Sequence, residues 1–130
     1  MEHNNICIIN GDMRNDYGDG YVMGAEKRAN ELGYRTTVFS LISYGTTDTN
    51  NEECIYSYIN FEDYDGVLFM EHSFSAHKHI ARNIEVLLKE NCRIPVVTVG
   101  ESDVLEECVS LDSMDDFEAI TDHLVVVHGC

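Results

Sequence analysis

The stretch Cys92-Arg-Ile-Pro-Val-Val-Thr-Val-Gly100 decides the fold, because a helix ends there and a buried strand begins. Upstream of it, Ile80, Ile84 and Leu87 recur at the spacing of one helix face and predict an amphipathic helix. Pro95 has no N–H to donate to a sheet, so it is tolerated as the residue that opens a strand. The next four residues are apolar or β-branched, which is typical of a strand covered on both faces. We therefore predict a helix that leads into a parallel sheet.

The same alternation of strand and helix runs along the whole chain. The predicted strands are 6–9, 36–42, 67–70, 96–99 and 107–111, and the predicted helices are 22–32, 76–91 and a last one that starts near Ser113. Gly33 is expected to end the first of these helices, and 61–64 to form a helical turn. Residues 54–59 fit either a short helix or an extended piece, and of the two we favour an extended or irregular run. Strands joined by right-handed helical crossovers predict a doubly wound, mainly parallel five-stranded α/β sheet that spans residues 1–130 as one domain.

Composition excludes several function classes. The chain has 130 residues, 24 acidic and 8 basic, for a formal net charge of −16. Nucleic acid and anionic lipid repel so acidic a domain, so we expect neither as a direct partner. No apolar run is long enough to span a bilayer, and the first residues lack the basic start of a secretory signal. The sequence therefore predicts a cytoplasmic protein.

Cysteine and histidine spacing argues against a metal or cofactor. The five cysteines are scattered without a Cys-x-x-Cys pair, and we expect buried free thiols. His72, His77 and His79 do not place two imidazoles four residues apart on one helix face. We therefore predict no metal site, no cofactor and no catalytic residue.

In a doubly wound sheet, ligands bind beyond the carboxyl ends of the strands, where the strand order reverses. This rule selects the loops that begin at Asn10, Ser43, Glu71 and Gly100, together with the strand end at Asp112. The first loop holds three glycines but matches neither nucleotide-binding fingerprint, and its acids make a poor phosphate site. A ligand rich in hydroxyl groups or positive charge fits these loops better.

Two other α/β signalling folds fit the residues less well. A phospho-acceptor receiver domain needs paired acids after the first strand, Asp after the third and Lys after the fifth. This chain has Asn10-Gly-Asp12, Glu71 and no lysine beyond Lys89 at those places. A flavodoxin-like domain needs a Ser/Thr-rich phosphate loop, and the acidic segment 11–20 does not supply one.

Several short motifs occur in an order that resembles a known family. They are Glu31-Leu-Gly-Tyr34, Tyr64-Asp-Gly-Val67, Ile94-Pro-Val-Val97, Val109-Ser-Leu-Asp112 and His123-Leu124 ahead of Gly129. Together they resemble the N-terminal lobe of periplasmic-binding-protein-like sensors, including the effector domains of LacI/GalR-type regulators. Residues 55–67 resemble the matching segment of sensor lobes fused to diguanylate cyclase (GGDEF) domains.

The resemblance implies a non-enzymatic sensor lobe, one half of a two-lobed domain that binds a small polar, sugar-like metabolite between its lobes. The residues that it places at the ligand, with those at the selected strand ends, are Asn10, Asp12, Arg14, Asp16, Tyr17, Glu71, His72, Ser73, Glu101 and Asp112. Similar regulators form homodimers through the helix at 20–32, whose apolar stripe is equally explained by packing on the sheet. A stand-alone protein-interaction or receiver-like signalling module remains the alternative.

Overall fold

A computed structural model describes residues 3–12, 16–42, 51–110 and 114–129. The strands are β1 (Asn5–Asp12), β2 (Arg35–Leu41), β3 (Gly66–Phe69), β4 (Val96–Val99) and β5 (Cys108–Val109). The α-helices are α1 (Asp16–Glu31), α2 (Lys78–Asn91) and α3 (Met114–Asp122). Short 3₁₀ helices cover Glu52–Tyr58, Phe61–Asp63 and Glu71–Phe74, and a π-helical segment, His123–Val127, continues α3.

The five strands form one sheet in the order β2-β1-β3-β4-β5, and every described pairing is parallel. Helices flank both faces, so the predicted doubly wound α/β sheet is confirmed. Because β1 is followed outward by β2 on one side and by β3 on the other, the strand order reverses at β1 and β3. Their carboxyl ends are where the fold rule places a ligand.

Each face of the sheet has its own core. On the α2 face, Cys7, Ile9 and Phe69 pack with α2 residues such as Ile84 and Leu88. On the α1 face, Ile8, Val22 and Met70 form a smaller core. Alternate residues of one strand point to opposite faces, which is why neighbouring residues of β1 belong to different cores.

Several predicted boundaries need correction. Residues 54–59 are not extended; most of them belong to the 3₁₀ helix Glu52–Tyr58, whose turn places Tyr56 in the core. Strand β5 has two residues rather than the predicted five, and α1 begins at Asp16, six residues before the predicted start. Gly33 does end α1, with φ of 84° and the Tyr34 N–H bonded to the Ala29 carbonyl at 2.9 Å, as the sequence predicted.

The last helix lies apart from both cores. Every residue from 114 to 129 is exposed, including the apolar stripe that predicted the helix. Ser113, its predicted N-cap, lies outside the described residues. In the described part of the chain, no helix is long and apolar enough to cross a membrane.

Candidate functional site

A cleft of about 540 Å³ lies beyond the carboxyl ends of β3 and β4. Its walls are the Glu71–Phe74 turn after β3, the first half of α2 and the segment after β4. The residues that line it are Glu71, His72, Lys78, Ala81, Arg82, Glu85, Gly100, Glu101, Ser102 and Asp103. The cleft therefore includes the carboxyl end of β3, one of the two strand ends that the fold rule selects, and extends from there towards β4.

Glu71 joins the three walls of this cleft. Its side chain is mostly buried, and Oε1 accepts a hydrogen bond from the Lys78 ammonium at 2.9 Å. Oε2 accepts a longer bond from the Glu101 backbone N–H at 3.4 Å. A buried carboxylate is tolerated only when it is paired, and these contacts supply the partners. Each carboxylate oxygen keeps lone pairs that a ligand hydroxyl could use.

Gly100 allows the carboxylate to lie this close to β4. Its φ is 128°, in a region that side chains rarely adopt, and a Cβ there would come within 2.5 Å of Glu71 Oε2. The Gly100 N–H also bonds to the Val109 carbonyl at 2.9 Å, which ties the turn to β5. Glycine is therefore favoured here mainly by the backbone angle, and the close approach of the Glu71 carboxylate adds to that preference.

His72 closes the inner end of the cleft. Its Nδ1 lies 3.0 Å from the Val99 carbonyl oxygen, and its ring packs against Tyr21 of α1 with centroids 4.8 Å apart. A carbonyl oxygen can only accept a hydrogen bond, so a bond at this distance places the proton on Nδ1. The imidazole is thus fixed between β4 and α1.

Helix α2 supplies two cationic groups, one turn apart, to the outer wall. Arg82 contacts the buried Glu85 at 3.4 Å, and Lys78 contacts Glu71, so each cation pairs with a carboxylate beneath it. The side chains of Lys78 and Arg82 are 66% and 61% exposed, so their charged ends face solvent in the cleft. The wall offers hydrogen-bond donors outside and acceptors inside, an arrangement suited to a polar ligand that both donates and accepts.

The end of β1 lies beside this cleft and is firmly anchored. The Gly11 N–H donates to Ser73 Oγ at 2.8 Å, and the Ser73 hydroxyl donates to the Met70 carbonyl. The Tyr56 hydroxyl donates to the Asn10 carbonyl at 2.7 Å, and burial raises the pKa of that phenol well above its ordinary value. Burial therefore favours the protonated phenol, which is the form that can donate this bond.

The Asn10 side chain, unlike the Asn10 backbone carbonyl, takes part in none of these hydrogen bonds. It is fully buried, yet within the described residues neither its amide nitrogen nor its amide oxygen has a hydrogen-bond partner. An unsatisfied buried polar group costs about 1–3 kcal/mol, so the Asn10 amide has a strong preference for any polar group that can reach this strand end.

The predicted site residues divide into three groups. Glu71, His72 and Glu101 line the cleft together. Asn10, Asp12 and Ser73 are buried at the adjoining strand ends, where the Ser73 hydroxyl serves the backbone. Arg14 and Asp112, the side chains of Asp16 and Tyr17, and the predicted loop after Ser43 lie outside what the structure describes.

Sequence reasoning missed Lys78, Arg82 and Ser102, which also line the cleft. The two cations stand four residues apart at the start of the helix that follows β3. In a chain with 8 basic residues, two on one turn at a selected strand end are a signal that could have been used. Ser102 depends on the path of the chain after Gly100, which no local pattern reveals.

In the residues described, no group of three or more His, Cys, Asp or Glu side chains could hold a metal ion. No protein-family model matches the chain, and no curated protein matches it in sequence. The resemblance to two-lobed sensors therefore rests on the motifs quoted above, and it stays a prediction.

Proposed function

We propose that this chain is the ligand-sensing lobe of a bacterial signalling or transcriptional regulatory protein. It binds a small polar, sugar-like metabolite between itself and a second lobe, and it catalyses no reaction. The observation that carries the proposal is the polar cleft at the strand ends, in which the buried Glu71 carboxylate lies among hydrogen-bond donors. In this chain a single lobe forms the floor of the cleft, and its other side is open to solvent. A second lobe that closed over the cleft would exclude water from the bound ligand.

The cleft suits a neutral polyol better than an anion. Glu71, Glu85, Glu101 and Asp103 outnumber the two cations Lys78 and Arg82 among its lining residues. A phosphate or dicarboxylate would meet this excess of negative charge, whereas hydroxyl groups can donate to the carboxylates and accept from the cations.

The proposal also covers signalling and location. Closure of the two lobes on the ligand would shift the balance between the active and inactive states of an output domain. In some of the sensors that this chain resembles, that domain is a diguanylate cyclase. Such coupling is typically about 1–3 kcal/mol. We place the lobe in the cytoplasm, where the free thiols of Cys7, Cys54, Cys92 and Cys108 would stay reduced.

Titration with a panel of monosaccharides and polyols, followed by NMR, tests this function. One lobe supplies only part of the contacts, so binding is weak, and the backbone amides of Gly100 and Glu101 are the reporters. We expect Glu71→Gln to weaken binding by about tenfold, because a bond to a charged acceptor is worth about 1.5–3 kcal/mol. Glu90→Gln, on the exposed end of α2, is the matched control.

The proposal fails if no member of the panel moves these amide signals. It also fails if Glu71→Gln binds as the unchanged chain does, since the carboxylate would then have no part in recognition. Circular dichroism of both variants excludes loss of fold as the cause of lost binding.

A protein-interaction module is the second candidate, and the exposed apolar stripe of α3 favours it. It predicts a protein partner whose capture does not depend on any metabolite. A partner that binds equally well to Glu71→Gln and to the unchanged chain would support it.

A further inference from the structure

Two histidines face each other across one turn at the end of the last helix. His123 begins the π-helical segment that continues α3, His128 follows its last residue, and both side chains are exposed. Their Nε2 atoms are 3.2 Å apart and their ring centroids 4.9 Å apart, with the ring planes at 73° to one another. Neither residue lines the strand-end cleft, so a site here is independent of the proposed function.

The π-helical winding brings the two rings together. In an α-helix, residues five apart point about 140° away from each other, because each residue turns the chain by about 100°. A π-helix joins residue i to residue i+5 and so places those two side chains on one face. Such segments are rare and occur frequently at functional sites. The local winding therefore gives His123 and His128 a common face that regular helix geometry would deny them.

The two distances fit a pair of ligands that share one metal ion. Imidazole nitrogens bind zinc at about 2.0–2.1 Å. With an angle of about 100° at the metal, such bonds place the two nitrogens about 3.1 Å apart and the two ring centroids about 4.9 Å apart. The separations of 3.2 Å and 4.9 Å between His123 and His128 match this arrangement.

A direct hydrogen bond between the rings fits less well. Hydrogen bonds prefer a nearly straight geometry, and a straight N–H···N bond at the same nitrogen separation would place the centroids about 5.5 Å apart. The observed 4.9 Å means that at least one ring is turned away from the line between the nitrogens. Two ligands of one ion are turned in this way, because each points at the metal rather than at the other ring.

The surroundings favour a cation. The chain carries a formal net charge of −16, and a negative potential raises the local concentration of cations. Within the described residues, no third His, Cys, Asp or Glu side chain completes a metal-binding group, so water would fill the other positions. The charged side chains of α3 are all acidic, namely Asp115, Asp116, Glu118 and Asp122.

We propose that His123 and His128 bind a divalent transition-metal ion of the zinc class through their Nε2 atoms. Imidazole is a preferred ligand of such ions, and histidine is their commonest ligand in proteins. Zn²⁺ has no geometric preference from its d electrons, so it accepts two nitrogens and water at these angles. The prediction of no metal site examined histidines four residues apart, and a pair five apart escapes that pattern.

Titration of the full chain with Zn²⁺, followed by long-range ¹H–¹⁵N NMR of the imidazole rings, tests this site. The Nε2 signals of His123 and His128 should shift together and give one dissociation constant, because both rings bind the same ion. Each histidine has its own signal, so zinc held by the exposed thiols of Cys54 and Cys108 does not enter this readout.

Three variants sharpen the test. His123→Ala and His128→Ala should each weaken zinc binding at the remaining ring by about tenfold or more, because the second ligand no longer binds intramolecularly. His79→Ala is the matched control, since His79 is also exposed and contacts another imidazole, His77, but with centroids 6.1 Å apart. It should leave the site unchanged. Because α3 lies apart from both cores, none of the changes on it should unfold the sheet, and circular dichroism checks this.

Three outcomes would overturn the proposal. The first is separate titration of the two rings, with different dissociation constants. The second is a shift at His123 and His128 that needs as much zinc as the shift at His79, which would show an adventitious ion only. The third is equal zinc affinity of His128→Ala and the unchanged chain at His123.

Discussion

The two faces of the sheet are both apolar, but only one of them is closed. On the α2 face, Phe69, Phe74 and Leu88 are essentially inaccessible to solvent. On the α1 face, Ile8 and Val22 are equally buried, yet a groove of about 330 Å³ beside them remains open. The comparison shows that the described part of the chain closes one face of the sheet and leaves part of the other face open.

The difference follows from crossover direction rather than from composition. Among the crossovers that join the described strands, three lie over the α2 face and one lies over the α1 face. Strand residues such as Leu68 and Val97 are as apolar as their neighbours on the other face. Both faces of the sheet are therefore apolar enough to be buried. Local sequence therefore does not reveal which face the chain itself can cover.

Leucine truncation on each face gives the largest expected contrast. Leu88→Ala removes a side chain that is 1% exposed and should cost about 2–5 kcal/mol of unfolding free energy, since it leaves a cavity. Leu32→Ala, at the open groove, should cost less than about 1 kcal/mol in the monomer. Urea unfolding at low protein concentration measures both; equal losses would show that the groove is covered within one chain.

Two glycines provide the next contrast. At Gly11 a Cβ would lie 2.5 Å from the Ser73 carbonyl oxygen, and the backbone there cannot easily move. Gly11→Ala should therefore cost about 1–3 kcal/mol. Gly24 of α1 has nothing within 4 Å, so Gly24→Ala should stabilise the fold by about 0.5–1 kcal/mol. Thermal unfolding separates the two, and a stable Gly11→Ala would contradict the close packing of β1 on the Glu71–Phe74 turn.

The fold was largely predictable because its signals are local. The apolar run of β1, the stripe of α2, Pro95 before β4 and Gly33 after α1 each predict one element, and their order predicts the sheet. The 3₁₀ helix at Glu52–Tyr58 was missed because Tyr56 is placed by a long-range bond to the Asn10 carbonyl. No pattern within residues 54–59 contains that partner.

The candidate site was predicted in part, for a similar reason. Strand ends can be read from the sequence, so Glu71, His72 and Glu101 were found. Lys78 and Arg82 were missed because helix α2 had been interpreted only through its buried stripe. The Asn10 amide stands at a predicted strand end, but its lack of a bonding partner becomes visible only in three dimensions.

The ion pair between Lys78 and Glu71 has one exposed and one mostly buried partner. Lys78→Met leaves the Glu71 carboxylate, whose side chain is 11% exposed, with only the longer bond to the Glu101 N–H, so it should lower the free energy of unfolding by about 1 kcal/mol or more. Lys89→Met, near the other end of α2, is the control and should cost less. Equal losses for the two variants in urea unfolding would show that Lys78 does not stabilise the Glu71 carboxylate.

Thiol labelling compares the closed core with the surface without changing a residue. Cys54 and Cys108 are exposed and should react at once with a thiol reagent, whereas Cys7 and Cys92 are buried and should wait for unfolding. Rapid modification of Cys7 in the native protein would contradict a closed α2 face.

The buried Cys7 thiol should make the free energy of unfolding depend on pH. Burial raises the pKa of Cys7 from 9.0 to about 12, with a smaller effect from Cys92. Between these values the unfolded chain loses a proton that the folded chain keeps, so stability should fall as pH rises from 9 towards 12. Cys7→Ala should reduce that fall in urea unfolding measured across the same range.

The two edges of the sheet differ as well. Strand β5 offers only two residues, whereas β2 has seven, and within the described chain no strand pairs with its outer side. The sequence of β2, Arg-Thr-Thr-Val-Phe-Ser-Leu, is rich in β-branched and aromatic residues and has one charged residue. Such an edge is a template for strand addition, so prolonged storage at high concentration should yield fibrils that begin at β2.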